Sequence, residues 1–560
     1  MKNNLFLFLF CGLCLISCDQ NKKKDLRETL STALATGNKN ISIPKGKYYL
    51  DLSNGEPFVL QGLKDVIINF KGSEIIASKG SQVFQISDCE NLKLSGFSID
   101  CDTLPFSQGT IVDMDTDKRM WIEFEIMEGY PYDDIASKMP DRFQIFDKNT
   151  LNLKHNLYTY WKGIFSSLTQ TGERRFKLIK KEFNPDSNES IGDYIVMSLA
   201  DRPNSRPHTI VLSKSKNIQM EDITIYSGNC FGYFEDQCES NSYNRCNVTK
   251  KLNDKRVSFP RLRSINADAF HSKGATIGPM ITNCVLQYQG DDCIAINSSF
   301  YRVAACNDNS VDISVRGRSI KMYPGDRLKF ADYDGKIVGV SKLINTEFIE
   351  GQANSNDNNR RGATNRIRLF LETPIKDCEN GVVYSLDRVG SGFVLKDNVV
   401  GYTRARGLLI KASDGIISGN TIIGCELSGI ILAPELNWME AGYSDNVEIT
   451  NNTIIDCMFA NSSYGIEQAA PISVVAINWK DEVVPVGGFK NIVIKNNTIK
   501  NSPIPAMIVT SVDGGIVENN KIEISKDIVR EHGKVLKIDS KEAIWTKNNV
   551  NVVFRDNSIK

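Results

Sequence analysis

Histidine is scarce in this chain: His155, His208, His271 and His532 are the four among 560 residues. None is spaced from another histidine or a cysteine as a zinc or haem site requires, so no metal and no cofactor is expected. Charge of one sign is not in excess either, since 67 Lys and Arg meet 67 Asp and Glu. Together with the lack of a basic block interleaved with aromatics, this removes the electrostatic argument for a nucleic-acid partner. Helical periodicity is almost absent after residue 37. Long apolar runs are lacking as well. The one at the N-terminus, in "MKNNLFLFLFCGLCLISCDQNKKK", covers about a dozen residues, too short to span a bilayer.

What that N-terminus does contain is one basic residue, the apolar run, and then Leu15-Ile16-Ser17-Cys18. It resembles a bacterial lipoprotein signal, in which the cysteine after a small residue is lipidated and becomes the new N-terminus. Residues 1–17 then form the signal and 18–26 a polar tether. Acyl chains on Cys18 would anchor the protein to a membrane of the bacterial cell envelope, at the outer membrane or facing the periplasm. Fourteen cysteines less Cys11, Cys14 and Cys18 leave an odd number. Several of the rest (Cys284, Cys293, Cys425, Cys457) sit inside strand-like apolar runs, which points to buried stacking rather than a disulfide framework.

One short pattern recurs: "NLKLSGFSID" from Asn91, "NIQMEDITIYSG" from Asn217, "NVEITNNTIIDC" from Asn446, "NIVIKNNTIKNS" from Asn491 and "NVVFRDNSIK" from Asn551. Each is an alternating strand, an Asn-rich corner and a second strand. With the strands between them, a full cycle takes about 22 to 25 residues, half of what a propeller blade needs. The expected fold is all-β, a right-handed parallel β-helix. Asparagine suits its corners because it tolerates the left-handed conformation. "KKDLRETLSTALATG" reads as an amphipathic helix closing the open end of the solenoid. Two blocks break the period, residues 110–200 and 300–389, and both read as small β-barrel-like domains. They separate β-helix segments at 27–109, 201–299 and 390–560. Insertions of this kind emerge on one face and often wall a cleft.

In a parallel β-helix the next coil in sequence lies one strand spacing higher, about 4.8 Å. Asp268 and Asp292 are 24 residues apart, one coil, so "ADAFHSK" lies under "DDCIAIN" with the two acids stacked. Asp291 must point elsewhere, because successive strand residues face opposite sides. Three acids so close cannot all ionise without penalty, which separates an acid from a base. Inverting glycoside hydrolysis needs that division, with carboxyls roughly 6.5 to 9.5 Å apart. On this reading Asp291 is the general acid, and Asp268 with Asp292 holds and deprotonates the water. With residues 300–389 set aside, Arg406 falls a further 24 positions on, above the acids, and Lys411 stands at the far end of its strand. Cations there would hydrogen-bond sugar hydroxyls. His271 and Lys273 share the Asp268 strand. Glu435 and Trp438, in "ILAPELNWMEAG", lie past a later strand, where the indole could stack on a sugar face.

The "NAD" and "GDDCIAIN" segments resemble the core of polygalacturonase-like β-helix glycosidases, a clan whose matching acids act by inversion. Two departures matter. Arg406 in "ARGLLIK" stands where those enzymes carry the histidine of "GHG", and no "RIK" follows to grip a uronate carboxylate. A neutral sugar is therefore expected. The whole layout, with "NADAFHSKG", is similar to glycoside hydrolase family 110. That resemblance implies removal of terminal α-1,3-linked galactose from an oligosaccharide or glycoconjugate, as in the blood group B determinant, without metal or cofactor. Two other readings share the fold. A polysaccharide lyase would use calcium on the acids and Lys273 or Lys411 as base. A non-catalytic glycan-binding protein of the envelope would leave the stacked carboxylates without a role.

Overall fold

The computed structural model describes residues 24–51, 56–78, 82–133, 135–157, 159–183, 187–199, 207–315, 317–349, 365–460, 470–526, 538 and 541–560. Cys11, Cys14, Cys18 and the expected lipoprotein signal lie outside the described residues. Among the described residues no helix is long and apolar enough to cross a membrane.

The chain is a right-handed parallel β-helix. Its strands stack in a 21-stranded parallel set and a 12-stranded set that faces the site. Long strands of the larger set turn a corner partway. Lys64–Ala77 pairs with one neighbour at Ile67–Asn69 and with another at Glu74–Ala77, and the bend falls at Lys71 and Gly72, both at positive φ. The asparagines that open the recurring pattern do the same at the other corners. Asn91, Asn217, Asn446, Asn491 and Asn551 all have φ between 51° and 55°, the left-handed region that asparagine tolerates better than most residues.

A second row of asparagines runs inside the solenoid. Asn398, Asn420, Asn452, Asn497, Asn520 and Asn557 each pass a side-chain amide hydrogen bond to the next, at 2.8 to 3.0 Å. Apolar residues stack beside them in register. Ile294, Leu408, Ile430, Ile472 and Met507 lie one above another and are fully buried, each contributing about 1.5 to 3 kcal/mol by burial. Nine cysteines are buried as free thiols, as their setting in apolar runs suggested. Among the described residues a single disulfide, Cys306–Cys378, closes within the second insert. The helix Leu26–Ala35 covers the N-terminal end, capped by the Asp25 carboxylate and burying Leu26 and Leu30 in the core.

The first interruption is a seven-stranded antiparallel sheet from Phe106–Met114 to Tyr194–Ser198, wrapped around its own apolar cluster. It leaves the solenoid four residues before the break in period becomes visible in sequence. The second is a closed antiparallel barrel whose strands run from Tyr301–Cys306 to Val382–Ser385.

Candidate active site

Three consecutive strands of the 12-stranded set place the acids. Phe270–Lys273 pairs with Ile294–Ser299, which pairs with Leu408–Ile410, so Phe270, Ile294 and Leu408 are level. Asp268, Asp292 and Arg406 each stand two residues before those positions and therefore stack at the same corner. The backbone fixes it. Ala269 N–H donates to the Asp292 carbonyl, and Cys293 N–H to the Arg406 carbonyl, both at 3.0 Å. The coil above Asp292 is thus the one that follows the barrel, as the spacing predicts. Gly290 lets the Asp291 turn pass close by, since a Cβ there would lie 2.4 Å from the Asn266 carbonyl oxygen.

Asp268, Asp291 and Asp292 each offer an oxygen within 4.8 Å of the others. That is nearer than the roughly 6.5 to 9.5 Å expected for an inverting pair. Their surroundings differ sharply. Burial alone would raise Asp291, but Arg404, Arg142 and Arg406 overcome it and hold this carboxyl well below the usual carboxylate range. Arg142 Nη1 and Arg404 Nη2 reach its Oδ2 at 2.8 and 2.5 Å. Both guanidiniums also donate to the Gly290 carbonyl, and both face the Trp161 ring at 5.1 and 5.2 Å. Asp268 is pushed the other way, by burial first and then by the charges of Asp291, Asp292 and Glu440. The surroundings therefore favour the neutral form of Asp268 and the ionised form of Asp291. The sequence reading made Asp291 the general acid; Arg142 and Arg404, which the coil alignment did not reveal, favour its ionised form in the free cleft.

Asp292 has both oxygens engaged by Arg406, at 2.8 and 2.9 Å, and Arg406 Nη1 continues to Glu435 Oε1 at 2.8 Å. Lys411 Nζ then bridges Glu435 and Glu440, at 2.7 Å to each. From Glu440 the chain of hydrogen bonds returns through Asn297 and His271 to Asp268. The two stacked acids are thus joined by a buried polar circuit.

These groups line or underlie a cleft of about 580 Å³. Arg142 and Trp161 enter from the first insert, and Trp438, Trp479, Asn478 and Asp481 from loops of later coils. Trp438 is half exposed at the edge of this cleft. The barrel contributes from behind, where Arg302 lies 5.0 Å from the Trp479 ring.

Of the residues singled out from sequence, Asp268, Asp291, Asp292, His271, Arg406, Glu435 and Trp438 all line this cleft. Two expected sugar contacts need correction. Lys411 has no exposed surface and its ammonium lies between Glu435 and Glu440, so it supports the floor instead of touching substrate. Lys273, at the end of its strand, is not among the lining residues, and its charge bears on Glu440 and His271. Arg142, Trp161, Arg404, Glu440 and Trp479 were missed. Arg404 was within reach, two residues before Arg406 in "TRARG", and Glu440 lies five beyond Glu435. Arg142 and Trp161 carry no local signal, because the insert must fold before they reach the acids.

The three carboxylates are close enough to share a cation. Two of them, however, already hold guanidinium groups where an ion would compete, and Asp268 favours its neutral form. That donor set fits calcium poorly.

No protein-family model matches the chain. Among curated proteins it is similar to alpha-1,3-galactosidase B of Phocaeicola vulgatus, 22% identical over 530 residues, covering 89% of this chain and 84% of that one. It is also similar to alpha-1,3-galactosidase B of Parabacteroides distasonis, 24% identical over 88% of this chain and 83% of the relative. Alpha-1,3-galactosidase A of Shewanella woodyi is 21% identical over 73% and 67%. Among solved structures, the family 28 exopolygalacturonase of Yersinia enterocolitica aligns with a TM-score of 0.41 at 11% identity, over 95% of this chain and 76% of that one.

Proposed function

We infer that this chain, a glycosidase that belongs with the α-1,3-galactosidases of glycoside hydrolase family 110, removes terminal α-1,3-linked galactose from the non-reducing end of glycans. Blood group B-type and linear α-1,3-galactosyl oligosaccharides are its substrates. The observation that carries the chemistry is the cluster of three carboxyls in unequal surroundings. A carboxyl driven to its neutral form stands beside one held ionised by two arginines, as acid and base catalysis on one bond requires. Asp268 delivers its proton to the leaving oxygen, and the carboxylates of Asp291 and Asp292 orient and activate water. The galactose specificity is supported by the relatives' names. A uronate is disfavoured because Arg142 and Arg404 are already committed to Asp291 and the Gly290 carbonyl.

Inversion is the favoured outcome because Asp292, with both oxygens on Arg406, is not free to attack the anomeric carbon. The short spacing of the triad favours the opposite reading, a retaining reaction through a glycosyl-enzyme. Proton NMR of galactose released early from an α-1,3-galactosyl oligosaccharide separates the two. β-Galactose first establishes inversion, and α-galactose first would establish retention. The rate should be unchanged by EDTA. A lyase is disfavoured on the same geometry. Burial would lower Lys411, but Glu435 and Glu440 raise it above its ordinary value, leaving it an ammonium and no base. Calcium-dependent formation of an unsaturated uronate with no galactose released would retire the galactosidase.

The cell-envelope anchor belongs to the same proposal, and the sequence around Cys18 supports it. Labelled palmitate should enter the wild-type chain in bacterial cells and not the Cys18→Ala variant. Equal labelling of both would remove the anchor.

A further inference from the structure

The second insert reaches over the solenoid and grips one loop of the cleft. Residues 477–483 form a short hairpin. Ile477 bridges Val483, the Asn478 N–H donates to the Glu482 carbonyl at 2.9 Å, and Asn478 Oδ1 accepts from the N–H groups of Lys480 and Glu482 at 2.9 and 3.0 Å. The shape of the hairpin is therefore its own, but its placement is not. The solenoid holds the foot, where Asn548 Nδ2 donates to the carbonyls of Val483 and Val484 at 3.3 and 2.9 Å.

The barrel holds the tip. Its turn at 332–336, closed by the Gly335 N–H on the Asp332 carbonyl, comes so near that a Cβ on Gly335 would lie 2.3 Å from Val484 Cγ1, and Gly335 has φ 81°. Space and backbone both call for glycine there. Asn478 Nδ2 donates to the Asp334 carbonyl at 3.4 Å, and Lys480 Nζ forms an exposed pair with Asp334 Oδ1 at 2.6 Å. Arg302, on the first barrel strand, meets the Trp479 ring at 5.0 Å, with its Nε buried and without a hydrogen-bond partner. The barrel is itself tied down on both sides of the acids, by Tyr323 donating to Gln237 Oε1 at 2.6 Å and by Lys329 paired with Asp445 at 2.9 Å.

The hairpin carries Trp479 and Asp481 to the cleft. Asp268 and Asp292 are buried at its floor, whereas Trp438 and Asp481 are exposed and Trp479 is half-buried. An enzyme that cuts off a terminal sugar holds that sugar at the acids, so the rest of the glycan must leave past the exposed groups. Arg302 does not line the cleft, and its guanidinium therefore meets the indole from the barrel's side. We propose that the barrel is the specificity module of this enzyme: through Arg302 and the turn at 332–336 it holds Trp479 as the wall on which the sugar next to the departing galactose stacks. That sugar is a neutral pyranose, which offers the indole an apolar C–H face and places no second negative charge beside Asp481. The proposal rests on the galactosidase reading given above and is independent of which acid gives the proton.

The test compares an α-1,3-galactosyl disaccharide, which has an acceptor sugar, with α-galactosyl fluoride, which has none. Trp479→Ala should lower kcat/KM on the disaccharide about 10- to 100-fold, chiefly through KM, the scale of truncating an anchoring tryptophan, and leave the fluoride within about twofold. Arg302→Met and Gly335→Asn should act in the same direction, by about 3- to 10-fold on the disaccharide alone. The full chain labelled with fluorotryptophan carries five indoles, and Trp479→Phe identifies one ¹⁹F signal among them. That signal should move in both barrel variants while the others stay, which also shows that the variants are folded. Equal losses on both substrates, or no loss on either, would overturn the specificity role. An unmoved Trp479 signal would overturn the barrel's hold on the ring. A wild type inactive on both substrates would instead overturn the galactosidase reading, and the ¹⁹F shifts would still decide whether the barrel fixes Trp479.

Discussion

Asp268→Asn is expected to lower the rate on α-1,3-galactosyl disaccharide by about 10²- to 10⁴-fold, the range for loss of a general acid. The rate on dinitrophenyl α-galactoside should stay near that of the wild type. A sugar alkoxide is a poor leaving group and needs the proton; a dinitrophenolate does not. Asp291→Asn and Asp292→Asn should slow both substrates, because activation of water is required whatever departs. If Asp291→Asn and not Asp268→Asn spared the activated substrate, the acid would be Asp291, as the sequence suggested, and the free-cleft electrostatics would not describe the loaded site. The variant should fold, because an amide copies the shape of a neutral carboxyl and can still hydrogen-bond His271 Nδ1.

The same substitution has a stability consequence of opposite sign. Burial and three neighbouring carboxylates raise Asp268 above its unfolded value. Above the usual carboxylate range the folded protein keeps a proton that the unfolded chain has lost, so stability falls as pH rises through that window. Asparagine cannot ionise and removes that fall. At pH 7 the Asp268→Asn protein should melt higher than the wild type, and the gap should close below about pH 3.9, the ordinary aspartate value. A lower melting temperature at pH 7 would contradict the electrostatic account of the triad. Loss of activity together with a gain in stability is the signature of a strained site and not of a damaged fold.

How far this site could be read from sequence follows from what a solenoid encodes locally. A fixed coil length turns a difference in residue number into a height, so Asp268, Asp292 and Arg406 could be stacked on paper, and the pairing of Ile294 with Phe270 and Leu408 agrees. The Asn corners were legible for a similar reason: left-handed backbone favours one residue type, and that type recurs at Asn91, Asn217, Asn446 and Asn491. Partners that arrive from outside the repeat were not legible. Arg142 is 149 residues from Asp291 and belongs to an antiparallel sheet with its own core, so no coil arithmetic brings it to the acids. Its arrival, with that of Arg404, favours the ionised form of Asp291. Lys411 was placed at the right strand end but given the wrong task, because sequence spacing gives position and not depth.

Lys411 then carries the second large expectation. Its ammonium is wholly buried and is the cation between Glu435 and Glu440, while Arg406 serves Glu435 from the other side. Methionine fits the space and brings no charge, so Lys411→Met leaves Glu440 with the more distant field of Lys273. Removing one partner of a buried pair costs about 3 to 5 kcal/mol, more than the pair itself contributes, because the remaining charge stays desolvated. Denaturant titration at pH 7 should show a loss of that size. The pH dependence follows from the direction of the shift. Glu440 is held below its unfolded value, so its contribution is complete above about pH 4.3 and is lost as pH falls towards its folded value. The gap between wild type and variant should therefore be widest at neutral pH and narrow in acid. Glu440→Gln added to Lys411→Met should restore part of the stability, since the amide carries no charge, and the double variant should be less impaired than the sum of the singles. A loss below about 1 kcal/mol, the scale of a solvated surface pair, would mean that water reaches Lys411 and that the circuit beneath the acids is not closed.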